Sequence, residues 1–76
     1  MNARRRKALQ RLTDRLDSLK SELEEILQEE EEARDNIPEN MQETPQYEKA
    51  DGACESLFSA VDSLEEAISS IEEAAE

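Results

Sequence analysis

Cys54 is the one thiol of the chain, and it stands between Ala53 and Glu55 in a sequence without a single histidine. A cysteine nucleophile needs a general base or an electropositive setting to populate its thiolate. Here the neighbouring charges are acidic, and acidic neighbours raise a thiol pKa. The lack of histidine also removes the commonest general base and the commonest metal ligand. Carboxylates are plentiful, and Glu29-Glu30-Glu31-Glu32 sets four in a row. On a helix, consecutive side chains fan around the axis, so these four cannot converge on one cation. The run reads as a solvated face or, more sharply, as a docking patch for a basic partner. The inventory therefore predicts no enzyme, no catalytic residue, no metal, no cofactor and no small-molecule substrate.

The elements that hold these residues are defined by one break, Asp35 to Pro45, which contains both prolines. Proline lacks an amide donor and clashes with the preceding turn, so a helix on either side cannot run through Pro38 or Pro45. Asp35 or Asn36 can stop a first helix. Thr44 before Pro45 is a helix start, with a side-chain oxygen at the N-cap and a preset φ at the first helical position. The expected organisation is a single domain over residues 1–76: a helix over about 3–35, a connector over about 36–44 and a helix over about 45–75.

Composition agrees with long helices. Charged residues make up 39% of the chain, but they alternate with regularly spaced apolar positions, which argues against disorder. One glycine and two aromatics leave enough apolar surface for a seam and too little for a thick core. No stretch approaches the roughly 18 apolar residues of a membrane span. Arg4-Arg5-Arg6-Lys7 resembles the basic start of a signal peptide but lacks the apolar core that should follow. With Cys54 unable to form an internal disulfide, the expected location is cytoplasmic. The net charge of −12 is unevenly spread. Residues 1–20 carry seven basic and two acidic side chains, whereas residues 21–76 carry two basic and nineteen acidic ones.

The first run places Leu9, Leu16, Leu23, Glu30 and Ile37 at heptad position a, and Leu12, Leu19, Ile26 and Ala33 at d. Leu27 widens the stripe at e. The second run places Tyr47, Cys54, Val61, Ile68 and Ala75 at a, and Ala50, Leu57, Leu64 and Ile71 at d, with Gly52 away from the seam at f. Folding the runs antiparallel matches every a with an a and every d with a d. The facing residue numbers sum to 84 for the a pairs and 83 for the d pairs, as in Leu16 with Ile68 and Leu19 with Leu64. The same register sets Leu27 beside Phe58, Lys20 near Glu65 and Arg34 near Asp51. It faces Cys54 with Glu30, the one polar defect, whose carboxylate can snorkel outward. The predicted fold is all-α: two long helices in an antiparallel coiled-coil hairpin, able to dimerise into a four-helix bundle.

A second periodic series occupies positions g and c of the second helix: Ala53, Ser56, Ala60, Ser63, Ala67, Ser70 and Ala74. Small residues let helix axes approach closely, so this series is the expected face for self-association or a protein partner. The plainer alternative is soluble helical surface. The basic stretch Arg4 to Arg15 could meet phosphate, but it has no aromatic interleaving and no nucleic-acid motif. Charge compensation by Glu72, Glu73 and Glu76 is the preferred reading of it.

The linker Glu32-Ala33-Arg34-Asp35-Asn36-Ile37-Pro38-Glu39-Asn40, followed after a gap by Tyr47-Glu48, resembles a motif in small uncharacterised acidic helical-hairpin proteins of Gram-positive, often gut-associated, bacteria. The resemblance implies a bacterial cytoplasmic setting and brings no activity or catalytic residues. The functional expectation is a structural or protein-protein interaction module. The alternative is an acidic mimic of nucleic acid that blocks a DNA- or RNA-binding protein, motivated by the net charge.

Overall fold

The computed structural model describes all of residues 1–76, with α1 over Ala3–Asp35, a single 3₁₀ turn over Glu39–Met41 and α2 over Pro45–Ala74. The helices pack against each other as an all-α hairpin, a rod 59 Å long and 15 by 12 Å across. No helix is long and apolar enough to cross a membrane.

Local chemistry sets the ends. The Asn2 side chain accepts a hydrogen bond from the Arg5 amide at 2.9 Å and caps α1. Asn36 closes α1, its amide donating to the Glu32 carbonyl at 3.0 Å. Four further backbone bonds fold the connector: Ile37 N–H to the Arg34 carbonyl, Met41 N–H to Pro38, Gln42 N–H to Glu39 and Thr44 N–H to Met41. Thr44 caps α2 as expected, accepting from the Tyr47 amide at 3.4 Å, with Pro45 at the first turn. No residue in the chain has a positive φ, so the reversal is built from ordinary backbone conformations. Ile37 and Tyr47 are both half-buried at this end.

The core is one thin layer. Leu27, Cys54 and Val61 form its centre, Leu23 and Leu57 pack against them, and Ile68 is buried further along. α2 contributes the rows the heptads predict, with Cys54, Val61 and Ile68 buried and Leu57, Leu64 and Ile71 half-buried.

α1 departs from the predicted seam. Leu9, Leu16 and Leu23 are half-buried as expected of an a row, but the d row faces outward. Leu12 is 44% exposed, Leu19 56% and Ile26 54%, and Ala33 is exposed as well. The e row takes its place: Thr13 and Leu27 are buried, and Lys20 and Arg34 half-buried. With 3.6 residues per turn, a seam of a and e instead of a and d turns α1 by about 50° about its own axis.

The turned seam carries the ion pairs between the helices. Lys20 Nζ lies 3.5 Å from Glu65 Oε1, and Arg34 Nη1 lies 3.1 Å from Asp51 Oδ1. Both cationic side chains are 22% exposed, as expected of long side chains that carry their charge to the edge of a seam. Leu27 fills the seam between these two pairs. Thr13 can be buried because its hydroxyl donates to the Gln10 carbonyl at 3.0 Å, so no polar atom is stranded.

Gly52 tests the placement of α2. A Cβ built there meets nothing within 4 Å. Gly52→Ala should therefore stabilise the hairpin by about 0.5–1 kcal/mol, through helix propensity alone. Thermal unfolding followed by circular dichroism should show the gain, and a loss would place position 52 in a contact.

Candidate interaction face

The hairpin has two flanks. On one, the e rows of both helices meet in an open groove lined by Leu27, Arg34, Cys54 and Phe58, with Glu31 and Glu55 at its edge. Phe58 sits beside Leu27 in the groove, as the register requires, yet remains 59% exposed.

On the other flank, Ala33 of α1 lines a groove with Ala50 and Ala53 of α2, next to Ile37 and Lys49. Ala33 belongs to the d row of α1 and Ala53 to the g row of α2. The seven-residue step of both helices carries this neighbourhood along the rod. Ile26 therefore runs alongside Ala60, Leu19 alongside Ala67 and Leu12 alongside Ala74. By this step the flank carries a row of large side chains on one helix and a row of alanines on the other.

Of the seven residues singled out on α2, Ala53 and Ala60 are half-buried, while Ser56, Ser63, Ala67, Ser70 and Ala74 are exposed. The alanines border the leucine row of α1. The serines lie further round the helix, away from it. Periodicity found the alanines and missed Leu12, Leu19 and Ile26, because it assigned those three to the seam. No spacing signal separates the two rows, because the partners of Lys20, Leu27 and Arg34 on α2 fit either seam.

Cys54 is a free thiol, 4% exposed. Burial pushes its pKa up; Arg34 pulls it down, and Glu30, Glu31 and Asp51 add to the rise. Arg34 itself is held above its ordinary pKa, first by its hydrogen bond to Asp35 at 3.1 Å and also by that to Asp51. The cation nearest the thiol is thus already shared between two carboxylates. Glu30 is half-buried, consistent with a carboxylate reaching out of the seam. No three acidic or thiol side chains converge as a set of metal ligands.

The basic stretch is not paired as expected. The ion pairs of the molecule involve only Lys20 and Arg34, so Arg4, Arg5, Arg6, Lys7, Arg11 and Arg15 form none with Glu72, Glu73 or Glu76. All six of these cations are exposed. Residues that share an end of the hairpin need not point toward each other.

The setting of Cys54 predicts slow alkylation by iodoacetamide in the native state and fast alkylation in denaturant. Because the folded thiol has the higher pKa, its stabilising effect is complete below the unfolded value of about 8.5 and declines as pH rises above it. Cys54→Ser should flatten that alkaline decline in unfolding measurements. Fast native alkylation would contradict the buried, protonated thiol.

Comparison with protein-family models, with curated proteins and with solved structures found no match for this chain.

Proposed function

We propose that the hairpin is a non-enzymatic protein-protein interaction module that acts through the strip of Leu12, Leu19 and Ile26. The observation that carries this reading is that three large aliphatic side chains, seven residues apart, stand outside the seam in a chain with few apolar residues to spend. Single exposed leucines are ordinary, but an aligned row beside a row of alanines is a surface prepared for contact. The buried, protonated thiol and the absence of histidine support the non-enzymatic part. A lone cysteine, which can form no disulfide within the chain, fits a cytoplasmic setting.

The acidic decoy is the weaker reading. A nucleic-acid mimic needs a face of uniform negative charge, and the exposed flank of α1 carries arginines in its first half.

A photo-reactive side chain at position 19 should cross-link to protein in the expressing cell, and the same side chain at position 10, exposed on the opposite side of α1, should not. Equal cross-linking from both positions, or none from position 19, would contradict the assignment of the face.

A further inference from the structure

On the side of the exposed row away from α2 lies row g, with Ala8, Arg15, Glu22 and Glu29, and beyond it row c, with Arg4, Arg11, Ser18, Glu25 and Glu32; along both rows the signs are segregated. Arg4, Arg11 and Arg15 occupy the first half of these rows. Glu22, Glu25, Glu29 and Glu32 occupy the second half, and Ser18 marks the change. All seven charged residues are exposed, and none takes part in an ion pair within the hairpin. The Glu29–Glu32 run thus has two of its four members on this border, at Glu29 and Glu32.

The apolar row is centred on Leu19, with Leu12 and Ile26 equidistant on either side. The charge rows reverse sign at the same level. Such a surface is complementary to itself turned end for end. If a second copy lays its α1 antiparallel on this one, Leu19 meets Leu19 and Leu12 meets Ile26. Arg15 then comes beside Glu22 of the second copy, Arg11 beside Glu25 and Arg4 beside Glu32. A parallel arrangement would set arginine on arginine and glutamate on glutamate. The alanine row of α2 leaves room for the incoming helix at the usual interaxial distance of about 8–10 Å.

We propose that two copies of this chain pair antiparallel through the Leu12–Leu19–Ile26 row of α1, about a two-fold axis beside Leu19. The interface is isologous, so it closes at a dimer of hairpins with four helices. This deepens the interaction-module reading by naming its occupant. The occupant is chosen by charge: the flank needs a helix with an apolar row of the same spacing and the reverse charge order, and α1 is such a helix.

The test has two arms. Light scattering across a dilution series should give a dimer for the wild type. Leu19→Glu, which sets two carboxylates together on the axis, should raise the dissociation constant by about 100-fold or more while the helicity of the hairpin is kept. In the second arm, Leu12→Cys and Ile26→Cys are made separately in a Cys54→Ala background. A mixture should form the 12–26 disulfide readily, and Leu12→Cys alone should form little 12–12 disulfide. A preference for the 12–12 disulfide would overturn the antiparallel order. A wild type that stays monomeric at every concentration would overturn self-pairing altogether. If the position-19 cross-linker then still captures another protein, the interaction reading stands without this occupant; if it captures nothing, both fall.

Discussion

Two helices share one seam, and α1 has more apolar rows than one seam can bury. Its a row must face α2. Beside that row stand two candidates: the leucines and isoleucine of d on one side, and the mixed residues of e on the other. Only one can turn inward. The e row turns inward, and with it go the pairs of Lys20 with Glu65 and Arg34 with Asp51. Leu27 goes into the core with it, and Thr13 follows because Gln10 satisfies its hydroxyl. The rest of the surface chemistry descends from this choice.

Its first consequence is where the apolar area lies. Four apolar side chains are buried, and none of them completely, so the hairpin's core is thin. Three aliphatic side chains of comparable size lie outside it on one line. A small chain that leaves this much apolar surface in water gives up stability it could have had from burial, at about 25 cal/mol per Å². The trade is reasonable if the strip is covered in another way. The segregated charge along its border says how a cover would be oriented, since opposite charges brought together across an interface set register and direction more than they add affinity.

Much of the fold was legible in the sequence. Prolines placed the break, Thr44-Pro45 placed the start of α2, and the constant sum of facing residue numbers placed the register. That register also anticipated both ion pairs between the helices. The rotation of α1 was hidden for a physical reason. Patterns a/d and a/e share the a row, and alternate steps of three and four fit both. The cross-helix pairs fit either seam, and the buried, back-bonded Thr13 looks polar in a sequence. The face followed the same rule. Its alanine half on α2 could be read from spacing, whereas its leucine half was concealed by being too good a core. The burial and raised pKa of Cys54 were legible, but its one cationic neighbour, Arg34, was not, because it comes from the other helix.

The central claim is that α1 is turned so that Leu27 is inside and Ile26 is outside. Leu27→Ala and Ile26→Ala, adjacent in sequence and alike in chemistry, separate the two seams directly. Thermal unfolding by circular dichroism at high dilution, where association is least, should show Leu27→Ala costing about 2 kcal/mol or more and Ile26→Ala less than about 1 kcal/mol. A larger loss for Ile26→Ala than for Leu27→Ala would return the d row to the core and contradict the account.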